Sequence, residues 1–179
     1  MIHSTTYSSP LGKLLLAANG ASLIGVWMEG QKYFGGAITE DMTDKSDLSI
    51  LIVAKKWLDE YFAGLKPAIS DLPLAPEGSA FRRAVWDILC GIPYGEVTTY
   101  GDIAKTMAGA TNEMSVSSQA VGGAVGRNPI SIIIPCHRVI SANGSLTGYA
   151  GGIDKKYYLL AHEGVDMSRL YKPGKGKAR

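Results

Sequence analysis

The sequence has 179 residues, 46% of them hydrophobic, which is enough for a sizeable core in one or two small domains. No apolar run reaches the roughly 18 residues of a membrane span, and the N-terminus MIHSTTYSSPLG lacks the features of a secretory signal. Cys90 and Cys136 are the two cysteines, too few for a disulfide framework or a structural zinc site, so we expect a reducing, cytoplasmic setting and no metal.

The net charge of +2 is unevenly distributed. Residues 1–77 carry 6 basic and 9 acidic side chains, a net of −3, whereas residues 78–179 carry 12 and 7, a net of +5. A basic half favours a polyanionic partner such as nucleic acid. Part of the excess lies in the C-terminal stretch, and residues 166–179 are expected to form a basic, flexible tail.

Turn residues divide the first 30 residues into short apolar runs. The segment SSPLG at 8–12 and the pair Asn19-Gly20 separate runs that partly alternate between apolar and polar residues. This pattern predicts an antiparallel β-meander with a tight turn at Asn19-Gly20. The acidic, uneven sequence that follows is expected to be a loop.

A helix is predicted in DLSILIVAKKWLDEYFAG, where apolar residues recur at helical spacing. Asp47 can cap its start and Gly64 its end. Prolines follow, and residues 72–79 are expected to be a linker. The chain should therefore form an α/β domain over residues 1–75 and a second domain over residues 76–165.

The second half is predicted to be mostly helical. One helix, with Phe81, Val85, Ile88 and Leu89 on one face, should end before Pro93. Thr98 or Thr99 can cap a helix through TYGDIAKTMAG, and Ser117 can cap another in SVSSQAVGGAVG. Two short helices joined by a turn are typical of a helix-turn-helix that binds DNA, although most such pairs are only packing units.

The segment ISIIIPCHRVI carries the strongest chemical signal. Its isoleucines predict a short buried strand that Pro135 ends, which leaves Cys136 at the boundary between a rigid element and a loop. Cys136 could be a buried packing thiol or a reactive one. A helix in IDKKYYLLAHEG, with Ile153, Tyr157 and Leu160 buried, ends near Glu163, where the helix dipole disfavours an acid. Glu163 therefore needs a partner, and His137 could orient against it and take the thiol proton.

PCHRV within NPISIIIPCHRVI, followed by GYAGG and LLAHEG, strongly resembles the O6-alkylguanine-DNA alkyltransferases, the methylated-DNA–protein-cysteine methyltransferases. The resemblance runs from about Phe81 to Gly164. It implies a small ribonuclease-H-like α/β domain, with an antiparallel sheet and a helix, followed by a mostly α domain with a winged helix-turn-helix-like motif. It also implies that the protein acts on double-stranded DNA without a cofactor, and we expect a monomer.

The resemblance implies an irreversible, single-turnover reaction in which Cys136 takes the alkyl group from O6-methylguanine and, less well, from O4-methylthymine. His137, through a bridging water, and Glu163 would deprotonate the thiol. Tyr100 would donate a hydrogen bond to the departing guanine, and Asn128 would link the helix-turn-helix to the active-site loop. The residues that contact the base or the DNA would be Gln119, Arg138, Val139, Tyr149, Ala150 and Gly151.

Two positions depart from the family pattern: Gln119 stands where arginine is usual, and Ala150 where many members carry serine. Two other readings stay open. A DNA-binding regulator without chemistry would lack the cysteine, and a Cys/His hydrolase would turn over many times. Cys90 is expected to be inert and His162 to be solvated. No cysteine precedes Cys90, so no zinc is expected in the N-terminal domain.

Overall fold

The chain folds as a small mixed sheet with one helix, followed by a mostly helical half. The computed structural model describes residues 1–111 and 115–174. The strands are β1 (Ile2–Ser9), β2 (Gly12–Ala18), β3 (Leu23–Met28), β4 (Met42–Asp44), β5 (Thr98–Thr99) and β6 (Val139–Ile140). The helices are α1 (Ser49–Phe62), α2 (Ala80–Cys90), α3 (Tyr100–Thr111), α4 (Ser118–Gly126) and α5 (Ile153–His162). The predicted α/β-then-α fold class is confirmed.

The N-terminal sheet has the strand order β3-β2-β1-β4. Strands β1, β2 and β3 form the predicted antiparallel meander. The Asn19 side chain organises its tight turn, where Oδ1 accepts a hydrogen bond from the Ser22 amide at 3.0 Å. Strand β4 pairs parallel with β1, so the prediction that this region is only loop is wrong. Three residues cannot display a strand period, and the pairing is decided by the distant strand β1.

Helix α1 packs on the sheet through the predicted apolar face, which includes Leu51, Ala54 and Leu58. Its N-cap is Leu48 with no side-chain hydrogen bond, so the prediction that Asp47 caps the helix is wrong. Gly64 follows the helix with a φ of +77°, a conformation that glycine adopts without steric cost and that ends the helix as predicted.

The two halves are joined along the edge of β3. Leu74, in the expected linker, forms a bridge to Leu23, and Ile130 of the second half forms a bridge to Val26. The amide of Val26 donates to the Pro129 carbonyl, and the amide of Ser131 donates back to the Val26 carbonyl, each at 2.9 Å. The sheet therefore holds the chain segment that leads to Cys136.

Helices α2, α3 and α4 pack against one another. Each has a side-chain N-cap: Ser79 before α2, and Thr99 before α3 and Ser117 before α4 as expected. In α2 the buried face contains Trp86, whereas Phe81 is more than a third exposed, which corrects part of the predicted stripe. The connection between α3 and α4 includes residues 112–114, which lie outside the described residues.

The isoleucine segment is buried, but the prediction that it is a strand is wrong. Ile130 makes one bridge, and the chain then turns, with Ile132 at a φ of +73°. A β-branched residue rarely adopts this conformation, and it persists only where surrounding structure imposes it. Burial and isoleucine content are shared by strands and by packed turns, so composition could not distinguish the two.

The C-terminal region is more ordered than expected. Helix α5 buries Lys156, Leu159 and Leu160, whereas Tyr157 is exposed, contrary to the prediction. Tyr171 pairs with the 144–146 segment through backbone hydrogen bonds of 3.0 and 3.1 Å, so this part of the expected flexible tail is packed. Residues 175–179 of that tail lie outside the described residues. None of the described helices is long and apolar enough to cross a membrane.

Candidate active site

Cys136 begins a 3-10 turn, Cys136–Arg138, immediately after Pro135. Asn128, at the end of α4, holds this turn in place. Its Nδ2 donates to the Ile134 carbonyl at 2.8 Å and lies 3.1 Å from Cys136 Sγ, while its Oδ1 accepts from the Ile130 amide at 3.0 Å. One buried side chain thus fixes the thiol relative to the helix pair, in the position expected of Asn128.

The thiol of Cys136 lies in the interior, with the residue only 5% exposed. Burial raises its pKa, although the hydrogen bond from Asn128 and the positive charge of Lys156 act in the opposite direction. A thiol with a raised pKa is mostly protonated near neutral pH, and the thiolate is the nucleophilic form. Any reaction at Cys136 therefore needs a nearby base.

His137 and Glu163 are brought together as predicted. His137 Nε2 lies 2.6 Å from Glu163 Oε1, and both side chains are fully buried. Burial alone would raise the pKa of Glu163, but its bonds to His137 and Arg138 outweigh that effect and hold the pKa well below its usual range. Glu163 is therefore an ionised acceptor, which requires the proton of a neutral His137 to lie on Nε2.

The other ring nitrogen of His137 is consequently the basic one. Nδ1 is buried and has no hydrogen-bond partner among the described residues. Burial lowers the pKa of His137, although Glu163 opposes this shift, so the ring is neutral near pH 7. A neutral histidine adjacent in sequence to Cys136, with Nδ1 free to accept, has the properties of a general base.

Arg138 corrects one prediction. It was expected to contact DNA or the base, but it is buried, with Nε 2.8 Å from Glu163 Oε2 and Nη2 3.0 Å from Glu163 Oε1. Its Nη1 donates to the Ile92 carbonyl at 2.6 Å. A planar guanidinium matches a carboxylate in this two-bond geometry. Arg138 neutralises and orients Glu163. The expected contact with DNA came with the family resemblance, and arginine is usually exposed, so its burial could not be read from the sequence.

Lys156 is a buried residue of the site that sequence reasoning missed. Its side chain is fully buried in α5, and its Nζ donates to the carbonyls of Val139 and Thr147, the latter at 3.2 Å. Burial lowers its pKa to about 8, although the Cys136 charge opposes this shift. A lysine at a core-facing position of an otherwise apolar helix stripe is the signal that could have identified it.

Tyr100 and Tyr149 lie near the thiol, since the negative charge of Cys136 contributes to the raised pKa of each, after burial. The pKa of Tyr100 is about 12, so its hydroxyl is a donor near neutral pH; it donates to the Thr147 carbonyl at 3.1 Å. Gly148 must be glycine, because a Cβ there would lie 2.7 Å from the Tyr100 hydroxyl and the φ is +87°. The hydroxyl of Tyr149 is buried without a partner among the described residues.

A cavity of about 460 Å³ has Tyr149 in its lining, whereas Tyr100 and Cys136 do not line it. Three glycines of α4 form one wall, and the 148–153 loop, including Tyr149 and Ala150, forms another. Lys32 and Tyr33 of the N-terminal half complete it, and the amide of Lys32 donates to the Ala150 carbonyl at 3.1 Å. The contribution of residues 32–33 was not predicted, because nothing in the local sequence indicates this long-range contact.

The remaining base- and DNA-contact candidates differ in exposure. Gln119 is exposed in the first turn of α4. Val139 has a buried side chain and a carbonyl that already accepts from Lys156. Gly151 packs tightly, since a Cβ there would lie 2.6 Å from the Met28 sulfur. Ala150 lines the cavity.

Two further expectations concern residues outside the site. Cys90 is half-buried and burial raises its pKa, as expected of an unreactive thiol. His162, expected to be solvated, packs on Tyr61 instead, with Nε2 2.9 Å from the Tyr61 carbonyl oxygen. Among residues 1–111 and 115–174, no group of three or more His, Cys, Asp or Glu side chains could hold a metal ion.

The fold and the site define a class: a helix-turn-helix-like domain that carries a buried cysteine beside a hydrogen-bonded His–Glu pair. Two family models match almost the whole chain, the ribonuclease-like domain of 6-O-methylguanine DNA methyltransferase over residues 2–76 and its DNA-binding domain over residues 80–165. The chain belongs to the 6-O-methylguanine DNA methyltransferase family.

Individual relatives are similar to this chain over most of their length. The chain is 39% identical to a methylated-DNA–protein-cysteine methyltransferase of Haemophilus influenzae, covering 92% of this chain and 87% of that one. It is 44% identical to one from Methanosarcina acetivorans, covering 88% and 96%. The crystal structure of Mycobacterium tuberculosis OGT in complex with DNA superposes with a TM-score of 0.77 at 39% identity, covering 94% of each chain.

Proposed function

We propose that this protein repairs alkylated double-stranded DNA by transferring the alkyl group of O6-methylguanine to its own Cys136. The observation that carries the proposal is the arrangement around His137. Glu163 fixes the proton on Nε2, Nδ1 is free to accept, and the adjacent residue is a buried thiol held by Asn128. The relatives named as methylated-DNA–protein-cysteine methyltransferases support the same reaction.

The bond changes balance with Cys136 as the acceptor. The thiol proton passes to His137 Nδ1, through a bridging water as the family resemblance implies, and Sγ forms a bond to the alkyl carbon. The bond from that carbon to O6 breaks, and its electron pair stays on the guanine. The guanine anion then takes up one proton, equal to the proton that the thiol lost.

The departing guanine anion needs hydrogen-bond donors as its charge develops. Tyr100 can take this role, because its hydroxyl is protonated near neutral pH and can turn from the Thr147 carbonyl to the base. The cavity beside α4 has room for a nucleotide rotated out of the helix, which is necessary because the target carbon is unreachable inside a stacked duplex. Exposed Gln119 on α4 would then fill the gap left in the stack.

The product is a thioether, which has no easy route back to a thiol, so each molecule reacts once. O4-methylthymine remains a predicted, poorer substrate. We further propose a cytoplasmic location, because the acceptor thiol must stay reduced and must meet DNA; Cys90 and Cys136 are both free thiols.

The test is to incubate the protein with a duplex that carries methyl-labelled O6-methylguanine and to count the labels per protein. We expect one label, on Cys136, for wild type and for the matched control Cys90→Ser, and none for Cys136→Ser, because a serine hydroxyl is far too weak an acid to be activated in the same way. Absence of label on wild type with intact DNA binding would indicate a binding protein, and released label with turnover would indicate a hydrolase.

A further inference from the structure

The relay carboxylate has a partner from the other half of the molecule. Tyr61, in the last turn of α1, has a buried ring, and its hydroxyl donates to Glu163 Oε1 at 2.7 Å. The Tyr61 ring stacks on the Trp57 ring, with centroids 5.6 Å apart. The backbone carbonyl oxygen of Tyr61 lies 2.9 Å from His162 Nε2. The N-terminal domain thus reaches directly into the catalytic relay.

Glu163 is surrounded by donors. Oε1 lies 2.6 Å from His137 Nε2, 2.7 Å from the Tyr61 hydroxyl and 3.0 Å from Arg138 Nη2. Oε2 accepts from Arg138 Nε at 2.8 Å and from the Gly95 amide at 3.1 Å. An ionised carboxylate offers about four lone-pair sites. Five donors therefore share its charge, and Tyr61 competes with His137 for the same oxygen.

We infer that Tyr61 is a positioning residue for alkyl transfer: its hydroxyl holds Glu163 in place and draws negative charge away from His137, so that His137 stays neutral with Nδ1 available to the Cys136 proton. This inference rests on the proposed function for the identity of the reaction. It assigns the N-terminal domain a direct part in the chemistry, beyond packing.

Few groups face Glu163 from the elements that pack around it. His137 and Arg138 come from the 3-10 turn, Tyr61 from α1 and the Gly95 amide from the loop after α2. The hydroxyls of Tyr94 and Tyr149 lie near enough to feel the Glu163 charge, but neither has a hydrogen bond to this carboxylate among the described residues. Arg138 provides the compensating positive charge, and the Lys156 ammonium of α5 also acts on His137, where both cations lower the pKa. Tyr61 is then the one neutral side-chain hydroxyl bound to this carboxylate among the described residues.

Loss of the Tyr61 hydroxyl should shift the pKa of His137 in one definite direction. With one donor fewer, Glu163 concentrates more charge on His137, and a carboxylate beside a histidine favours the protonated ring. The pKa of His137 should therefore rise from its depressed value. A larger fraction of His137 would be protonated near neutral pH and unable to accept the thiol proton.

The experiment uses Tyr61→Phe in a Cys90→Ser background, which leaves Cys136 as the only thiol. The rate of transfer from free O6-benzylguanine is measured against pH, and the His137 ring nitrogens are titrated by 15N NMR. We expect the acid limb of the rate profile and the His137 titration to move upward together by about 0.5 to 1 pH unit. Incorporation of a fluorinated tyrosine at position 61, a stronger donor, should move both the opposite way.

Tyr94→Phe is the matched control, because its hydroxyl lies 3.4 Å from the His162 carbonyl and makes no bond to Glu163. It should leave both midpoints unchanged. If Tyr61→Phe lowers the melting temperature but leaves the pH profile and the titration as in wild type, the residue is only structural and the inference is wrong. If wild type transfers no alkyl group to Cys136, the proposed function fails instead, whereas the NMR titration still tests the Tyr61 contact.

Discussion

The relay around Glu163 and the cavity beside α4 use polar groups in different ways. In the relay every carboxylate oxygen is occupied by side-chain or backbone donors, and the participating side chains are buried. The cavity walls consist largely of glycines, backbone and aromatic rings, and Gln119 on the same helix is exposed. In the proposed reaction, the groups that move the proton are therefore held in place before DNA binds, whereas the cavity offers open space for the flipped base.

Glu163→Gln should break the relay with the largest effect on rate. A glutamine amide can donate to His137 Nε2, which would move the ring proton to Nδ1 and remove the base. We expect transfer to slow by about 100-fold or more, since general-base assistance contributes about 10² to 10⁴. The apparent pKa of the Cys136 thiol should rise. Asp154→Asn, at an exposed acid of α5, is the control; equal pH profiles for all three proteins would remove Glu163 from the relay.

Arg138→Met should show whether Arg138 stabilises the fold by neutralising Glu163 or binds DNA at the surface. It leaves the buried Glu163 carboxylate without a positively charged partner, since His137 is neutral, and unpairing a buried ion costs about 3 kcal/mol or more of folding free energy. Urea unfolding measures this loss, with exposed Arg127→Met as the control. A variant as stable as wild type but with weakened DNA binding would show that Arg138 belongs to the DNA interface after all.

Lys156→Met should affect the segments that lie between the relay around Glu163 and the cavity beside α4. The lysine joins the carbonyls of Val139 and Thr147, and Tyr100 also donates to Thr147. Its loss leaves these carbonyls with fewer donors and removes a charge that favours the thiolate, so we expect transfer to slow by about tenfold. Adjacent Lys155→Met should react at the wild-type rate. The rate with free O6-benzylguanine, measured for both variants, decides whether the buried ammonium matters.

Gln119→Ala should have the smallest effect, confined to duplex DNA. Unstacking and unpairing a nucleotide costs a few kcal/mol, and a glutamine amide can bond the orphaned cytosine to offset part of it. We expect repair of duplex DNA to slow about threefold, while free O6-benzylguanine, which needs no flipping, reacts normally. Ser118→Ala serves as control. An unchanged duplex rate would mean that another residue, such as Arg127, fills the gap.

Local sequence signals identified most helices and the capping residues of α3 and α4. Ser79, Thr99 and Ser117 cap their helices because a short hydroxyl side chain satisfies the free amides of a first turn, which requires no tertiary contact. The motif PCHRV and the acid at the end of α5 likewise predicted the meeting of His137 with Glu163. These features depend on residues that are close in sequence or on a specific motif.

Other features depend on pairings across the chain, and local pattern could not give them. Strand β4 exists because β1 offers it a parallel edge, and the isoleucine segment turns at Ile132 because β3 on one side and Asn128 on the other hold it there. The partners of Arg138 and Lys156 are buried acceptors many residues away. Sequence determined which groups are present for the proposed chemistry. Tertiary structure decided which are buried together, and burial with specific donors sets their charge and proton positions.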